Sequence, residues 1–330
     1  MTKPVVLVTG GAGYIGSHTC KALAKAGYTP ISYDNLVYGH RWAVKWGPLE
    51  VGDVLDSARL EAVIAKYRPV ATIHFAAFAY VGESMQHPQK YYRNNVAGSL
   101  TLIEALRAAG NIPLVFSSTC ATYGVPASTP ISEDTPQNPI NPYGASKLMV
   151  ERILRDFDTA YGLRAVALRY FNAVGADRDG EIGEAHDPET HLIPLAIGAT
   201  GNAVQPLTIF GKDYDTDDGT AVRDYVHVED LANAHVASVR RLLDGGMSAR
   251  INVGTGVGIS VLEVIAAIEA VSNRKVAWRF GQRRAGDPPA LVADPAQLKS
   301  DLGLDPAGFA GMDEIARTAW NWHLKHNPRL

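Results

Sequence analysis

The chain has 330 residues, of which 46% are hydrophobic and 20% charged, so its composition is that of a folded globular protein and excludes a disordered one. Thirty-one lysines and arginines oppose 34 aspartates and glutamates, and this balance lacks the basic field that nucleic acid or an anionic membrane requires. The length predicts about two domains. Two cysteines cannot form a disulfide framework, and no apolar run reaches the roughly 18 residues of a membrane span. We therefore expect a cytoplasmic protein without a nucleic-acid or membrane partner.

The first 170 residues alternate short apolar runs with longer helical patterns. Strands are predicted at Val5–Thr9, Thr29–Tyr33, Ala71–Phe75, Ile112–Ser117 and Arg164–Tyr170. Helices are predicted at Tyr14–Ala26, Ser57–Tyr67, Asn94–Ala109 and Pro142–Tyr161, with Ser57 as an N-cap. Because the strands are apolar along nearly their whole length, we expect a parallel sheet covered on both faces, which is a doubly wound, Rossmann-type α/β domain.

After Asn172 the chain becomes rich in Gly, Asp, Glu, His and Pro, and the later elements are shorter. Helices are predicted at Asp230–Leu243, Val261–Val271 and Gly311–His326. We expect residues 1–172, with a return segment at about 219–249, to form the cofactor-binding domain. Residues 173–218 and 250–330 are expected to form a smaller α/β domain that recognises the substrate.

A glycine-rich turn follows the first strand, at Gly10, Gly13 and Gly16. Glycines at this spacing allow a tight turn and a close approach of the backbone to a pyrophosphate. The carboxylate of Asp34, at the end of the second strand, would accept hydrogen bonds from a ribose and repel a 2′-phosphate, which favours NAD over NADP. Asp53 could reach an adenine amino group, or it could cap the helix that begins nearby.

Tyr143 and Lys147 are four residues apart on a predicted helix, so they share a face. A tyrosine with a pKa of about 10 is a poor base at neutral pH, and a neighbouring cation would lower that pKa. Thr119 follows the strand that ends near Ser117, where ligands of such sheets bind. Its hydroxyl could contact the reacting oxygen, or it could form a turn with its own backbone.

One segment combines acidic residues with histidines, namely Glu181, Glu184, His186, Asp187, Glu189 and His191. Such side chains can ligate a metal ion. We expect a solvated loop and no metal site.

Together these motifs resemble the nucleotide-sugar 4-epimerases of the extended short-chain dehydrogenase/reductase family, nearly from end to end of the chain. The glycine-rich V-T-G-G-A-G-Y-I-G-S-H motif from Val8 is widely shared in that family. More specific motifs are V-G-E-S from Val81, P-Y-G-A-S-K from Pro142, D-G-T-A-V-R-D-Y from Asp218 and R-R-A-G-D-P from Arg283.

The resemblance implies that Tyr143, Lys147 and Thr119 are catalytic and that the cofactor is NAD. The implied cofactor site is Gly10, Gly13, Tyr14, Ile15, Gly16, Asp34, Asn35, Asp53, Val54, Phe75, Ala76, Ala77, Asn95, Ser117, Tyr143, Lys147 and Tyr170. The implied substrate site is Thr119, Tyr143, Asn172, His191, Leu192, Phe210, Arg223, Arg284, Asp287 and Leu291. In it, Asn172 and the two arginines would hold the diphosphate, Phe210 the uracil and Asp287 the uridine ribose.

The implied reaction interconverts UDP-glucose and UDP-galactose through a transient 4-keto sugar and enzyme-bound NADH, in a homodimer formed through helices 94–109 and 142–161. A UDP-pentose 4-epimerase, another NAD-dependent nucleotide-sugar enzyme and a non-catalytic NAD sensor remain alternatives. Cys120 and Ala121 stand where dehydratases and decarboxylases of the family carry proton-transferring groups. Two positions depart from the family pattern: Ala79 replaces a frequent lysine near the cofactor, and Leu291 replaces a frequent tyrosine of the sugar pocket.

Overall fold

A computed structural model describes residues 3–200, 205–284 and 287–326. The strands are β1 Val5–Thr9, β2 Thr29–Asp34, β3 Leu49–Val51, β4 Ala71–His74, β5 Leu114–Thr119, β6 Ala165–Tyr170, β7 Asn172–Val174, β8 Leu207–Phe210, β9 Val222–His227, β10 Ala249–Val253, β11 Gly258–Ser260, β12 Trp278–Gly281 and β13 Ala290–Leu291. The helices are α1 Tyr14–Lys25, α2 Ser57–Tyr67, α3 Val81–Gln86, α4 Pro88–Tyr91, α5 Gly98–Ala108, α6 Pro142–Tyr161, α7 Leu192–Gly198, α8 Val228–Leu243, α9 Val261–Ser272, α10 Ala296–Leu302 and α11 Met312–His326.

Seven parallel strands form the large sheet, in the order β10-β6-β5-β4-β1-β2-β3. Helices cover both faces, because successive side chains of each strand point to opposite sides. In β1, Val6 and Val8 pack in one core with α1 and α8, whereas Leu7 packs in the other with α2, α5 and α6. The prediction of a doubly wound parallel sheet is therefore confirmed.

The sequence missed β3 and β10, which form the two edges of this sheet. β3 has only three residues. β10 carries a polar residue, Asn252, that is fully buried. Its side-chain amide donates to the Ile131 carbonyl at 2.8 Å, and its oxygen accepts from the Tyr123 hydroxyl at 2.7 Å. These bonds compensate for its burial, and no apolar pattern could reveal them.

β10 also places residues 249–253 in the large sheet, whereas the predicted domain boundary assigns residues from 250 onward to the second domain.

Three local predictions need correction. Ser57 is the first residue of α2, and the N-cap is Asp56, whose side chain accepts from the Arg59 amide at 2.9 Å. The helix predicted at 94–109 begins as a π-helical turn at Tyr92–Ala97, and the regular α5 follows it. Strand β5 runs to Thr119 and so carries that hydroxyl to the edge of the sheet.

The second half of the chain forms two small sheets and a core of its own. β9 pairs with β7, β11 and β13, and β8 pairs with β12. Helices α7, α9 and α11 contribute most of this core. Because only Phe171 separates β6 from β7, the chain passes into the small sheet directly at the carboxyl edge of the large one. None of the helices that the structure describes is long and apolar enough to cross a membrane.

Candidate active site

The glycine-rich turn between β1 and α1 fits no side chain at two positions. Gly10 has a φ of +74°, and a Cβ there would lie 2.7 Å from the Ala76 backbone nitrogen. A Cβ on Gly16 would lie 2.1 Å from the Gly10 carbonyl oxygen. The turn is therefore in contact with both the end of β4 and the start of α1. Gly13 is the N-cap of α1, so the first amides of this helix are not capped by a side chain and can bind a phosphate.

Asp34 lies at the end of β2 and connects it to this turn. Its carboxylate accepts from the Ala12 amide at 3.0 Å and from the Leu36 amide at 2.8 Å. Burial raises the pKa of Asp34, and the two backbone N–H groups act in the opposite direction. The carboxylate is thus held in place at the wall of the adjacent cavity.

A cavity of about 450 Å³ opens along the carboxyl ends of the large sheet. Most of the predicted cofactor residues line it, namely Gly10, Gly13, Tyr14, Ile15, Gly16, Asp34, Asn35, Val54, Phe75, Ala76, Ala77, Ser117, Tyr143, Lys147 and Tyr170. An elongated wall of glycine backbone, carboxylate and apolar side chains suits a dinucleotide, so these residues fit NAD.

Asp53 and Asn95 are not among the lining residues. Asp53 instead accepts from the Asn35 side-chain amide at 2.9 Å and from the Leu55 backbone at 2.9 Å. Asn95 is buried and bonds both backbone groups of Phe78, each at 2.9 Å. We conclude that both act one layer behind the cavity, where they position Asn35 and Phe78 in its wall.

The first two turns of α6 bring Tyr143 and Lys147 to the same cavity. The helix is started by Asn141, whose side chain accepts from the Gly144 amide at 2.8 Å, and by Pro142 in its first turn. Lys147 is buried and its ammonium donates to the Ser117 carbonyl at 2.7 Å. Thr119 lines the cavity, and its hydroxyl also accepts from the Ala121 amide at 3.1 Å. Both sequence interpretations of Thr119 are thus compatible with its place.

The electrostatics of this pair differ from the expectation. Burial raises the pKa of Tyr143 well above its usual value, and the neighbouring Tyr170 adds to that rise, while the Thr119 hydroxyl opposes it. Burial lowers the pKa of Lys147 to about 7. Desolvation of the phenol is the largest effect on the pKa of Tyr143, so the expected lowering of this pKa does not occur in the ligand-free site.

The substrate residues fall into two groups. Asn172, His191, Arg223 and Leu291 line the cavity together with Tyr143 and Thr119. Leu192, Phe210, Arg284 and Asp287 are not among the lining residues.

Three of these outer residues still connect to the cavity or to one another. Arg223 forms an ion pair with Asp287, and the Arg284 guanidinium stacks 4.1 Å from the centroid of the Phe210 ring. Phe210 is 40% exposed, so part of its ring is available on the protein surface. The R-R-A-G-D-P motif lies within the described residues except for Ala285 and Gly286.

The acidic and histidine-rich segment is a loop, as expected, but it is solvated only in part. Glu184 is buried, and Glu184, His186 and His191 line the cavity. The Trp322 indole donates to the Glu184 carbonyl at 2.8 Å, and a ring nitrogen of His40 lies 2.7 Å from the Ala185 carbonyl oxygen. Sequence reasoning assigned Glu184 and His186 no role at the site. The dense spacing of titratable residues in this segment could have pointed to the site. Composition alone, however, does not distinguish such a cluster from a polar loop.

Comparison with known proteins identifies relatives of the chain in sequence and in fold. A profile of the NAD dependent epimerase/dehydratase family matches residues 6–254. The UDP-glucose 4-epimerase of Rhizobium leguminosarum bv. trifolii is 54% identical over 327 residues, which are 99% of each chain. The crystal structure of UDP-glucose 4-epimerase from Brucella ovis in complex with NAD is 54% identical, with a TM-score of 0.93 over 96% of this chain and 98% of that one. A UDP-glucose-4-epimerase from Stenotrophomonas maltophila, with bound NAD and formylated UDP-arabinopyranose, is 36% identical, with a TM-score of 0.95 over 99% and 100% of the chains.

Proposed function

The chain belongs to the NAD dependent epimerase/dehydratase family, and from this premise we propose that it is an isomerase that interconverts UDP-glucose and UDP-galactose with NAD as its cofactor. The observation that carries the proposal is the common cavity. It joins the glycine-rich turn and Asp34 to Tyr143, Thr119 and Arg223. A dinucleotide site, a proton-transferring phenol and a cation for a diphosphate are the parts that this reaction needs.

NAD would lie against the glycine-rich turn, with a phosphate at the N-terminus of α1 and its adenosine ribose on Asp34. When bound, it supplies the redox chemistry at carbon 4 of the sugar, which no side chain can supply. Phe75, Ala77 and Tyr170 in the cavity wall would exclude water from that part of the site once the cofactor is bound. The redox cofactor is restored in each turnover, so the overall reaction is an isomerisation.

Tyr143 would move the proton. Its phenolate takes the proton of the 4-hydroxyl as that alcohol becomes a ketone, and the phenol returns it when the ketone is reduced on its other face. Because burial keeps the pKa of Tyr143 high, the site needs added positive charge to form the phenolate. Protonated Lys147, buried on the same helix, can provide part of that charge. Thr119 would hold the reacting oxygen during the transfer.

Inversion at carbon 4 requires the keto sugar to turn over while the nucleotide stays bound. Arg223 and Asn172 in the cavity, and Arg284 beside Phe210, could hold the nucleotide and its diphosphate. Around the sugar, the side chains of Leu291 and Cys120 offer packing without strong directional bonds. We propose that this contrast, a tight hold on UDP and a loose hold on the hexose, permits the rotation.

A second UDP-sugar remains a candidate, because a UDP-pentose would be epimerised by the same chemistry. Its support here is a formylated UDP-arabinopyranose bound to the Stenotrophomonas relative. Cys120 and Ala121 argue against dehydration and decarboxylation, because neither side chain can exchange a proton at carbon 5 of the sugar. In Cys120 burial raises the pKa of the thiol to about 12, which keeps it protonated.

The test is incubation of the purified protein with UDP-galactose, UDP-glucose, UDP-arabinose and UDP-xylose, followed by separation of the sugar nucleotides. We expect interconversion of the two hexoses to be fastest. Tyr143→Phe should lose about 10²- to 10⁴-fold in rate, the range that general base catalysis contributes. Its circular dichroism and NAD binding should stay close to wild type. More than half of the wild-type rate in this variant would refute the role of Tyr143, and faster pentose turnover would favour the second candidate.

We also propose a homodimer and a cytoplasmic location. Support for the dimer comes from Tyr92 and Met149, which are 37% and 45% exposed and lie at the start of the α5 region and on α6. Cys20 and Cys120 are free thiols, as expected in a reducing compartment. Light scattering of a Met149→Lys variant beside wild type would test the assembly.

A further inference from the structure

Two carboxylates and two imidazoles converge in the segment between β7 and α7, and the epimerase chemistry leaves this cluster unused as a unit. The Nδ1 atoms of His186 and His191 lie 3.0 and 2.9 Å from the same oxygen, Oε1 of Glu184. Glu189 completes the cluster, with Oε1 2.9 Å from His191 Nδ1 and Oε2 3.9 Å from His186 Nδ1. One ligand atom from each of the four side chains lies within 4.8 Å of the others.

The four side chains are held in this arrangement by other groups. Oε1 of Glu189 accepts from the backbone amides of Thr190 and His191, at 2.7 and 2.8 Å, so Oε2 is directed toward His186. The backbone at Glu184 is bound by the Trp322 indole. Outer hydrogen bonds of this kind orient ligands in metal sites.

The carboxylates of the cluster have no lysine or arginine partner within the described residues, unlike the acidic group next to them. Close by, the carboxylates of Asp177, Asp179 and Glu181 surround the Lys21 ammonium, each at 2.7 Å, so that group already contains its cation. Within residues 3–200, 205–284 and 287–326, no lysine or arginine forms an ion pair with Glu184 or Glu189. Glu184 has only 6% of its side chain exposed, and the partners of its carboxylate are the imidazoles of His186 and His191, which are themselves metal-ligating groups.

We propose that Glu184, His186, Glu189 and His191 bind one divalent transition-metal ion, with Zn²⁺ as the preferred ion. Bonds of about 2.0–2.2 Å in a tetrahedral zinc site place neighbouring ligand atoms about 3.3 Å apart. The separations of 2.9, 3.0 and 3.9 Å in the structure bracket this value. Two imidazole nitrogens exclude Mg²⁺ and Ca²⁺, which take oxygen ligands. Binding would displace protons from both Nδ1 atoms, and it would fix His191, just before α7, in the wall of the cavity.

The experiment uses tag-free protein that has been dialysed against a chelator and then titrated with Zn²⁺ by calorimetry. Cobalt(II) is added in parallel, because its visible absorption identifies tetrahedral coordination. We expect one ion per chain and a higher melting temperature with Zn²⁺. Glu189→Gln and His186→Ala should weaken binding by at least about tenfold, since each removes a ligand. His87→Ala changes an exposed histidine outside the cluster and serves as the control that keeps wild-type affinity.

Two results would overturn the proposal. The first is wild-type protein that binds no ion, which would leave the contacts of Glu184 with His186 and His191 as a purely structural network. The second is one bound ion whose affinity is the same in wild type and in Glu189→Gln, which would place the ion elsewhere. Glu189 is partly exposed, so its substitution by glutamine keeps the measurement possible if His186→Ala does not fold.

Discussion

The ammonium of Lys147 donates to the main-chain carbonyl of Ser117, at the centre of the large sheet, rather than to an acidic side chain. A lysine that is buried without a carboxylate partner costs stability as long as it is charged. Burial lowers the pKa of Lys147 to about 7, from an unfolded value of about 10.4.

We therefore predict that Lys147→Met raises the melting temperature of the ligand-free protein at pH 7 while it abolishes epimerisation. The cost of burying the lysine is fully present below pH 7 and disappears as the pH rises toward 10.4, where the unfolded state also loses its proton. The advantage of the variant should accordingly shrink between pH 7 and 10. Thermal unfolding of both proteins across this range measures it. A constant or growing difference would show that the lysine is not desolvated.

The second prediction concerns the choice of cofactor. Wild-type protein should bind NAD in preference to NADP, because Asp34 would repel a 2′-phosphate. Asp34→Asn removes the charge and keeps the size of the side chain, so the ratio of the two affinities should fall. Fluorescence titration with both nucleotides measures the ratio, and Asp56→Asn, at the N-cap of α2, is a charge-matched control. Equal affinities in wild type would show that the ribose lies away from Asp34.

The third prediction concerns retention of NAD. Ala79 lines the cavity, and the family resemblance implies a frequent lysine at its position. We expect Ala79→Lys to add a cation beside the cofactor and to slow the loss of NAD during gel filtration. The absorbance ratio of the eluted protein measures the bound fraction. An unchanged fraction would mean that retention depends on other contacts.

The fourth prediction concerns the width of the sugar pocket. Leu291, in the short strand β13, packs beside Cys120 against a core of Tyr123, Ile131, Phe171 and Ala293. An acetamido group would overpack this site, which costs about 1–3 kcal/mol, and about 1.4 kcal/mol is already tenfold in rate. Wild type should prefer UDP-galactose to UDP-N-acetylgalactosamine.

Leu291→Gly should raise the activity on the acetylated sugar and lower or spare that on UDP-galactose. The kcat/KM ratio of the two substrates measures this change. Leu195→Ala, on the exposed side of α7, should leave the ratio unchanged. A wild-type enzyme that turns over both sugars equally would assign the width to another residue.

The sequence predicted those features that depend on local patterns. Val6, Leu7 and Val8 follow one another as apolar residues because both faces of their strand are covered, and Gly10 and Gly16 stand where a Cβ would clash. Features that depend on distant partners were missed. Arg169 is an example: it is buried in β6 because Glu151 of α6 pairs with it at 2.6 Å. The buried position of Glu184 is a second example. Its carbonyl accepts from the indole of Trp322, which is more than 100 residues away along the chain.

The edge position of β10 decides how the protein can be divided. A fragment that ends at residue 172 would lack the strand that pairs with β6 and the helix α8 that covers one face of the sheet. The Tyr123 hydroxyl, which follows strand β5, would also lose its acceptor on Asn252. The nucleotide-binding half is therefore not an autonomous module: a ribosome must extend the chain past residue 253 before this half can close. Exchanging this half between relatives requires three cuts in the chain rather than one, after residue 172 and on both sides of the return segment.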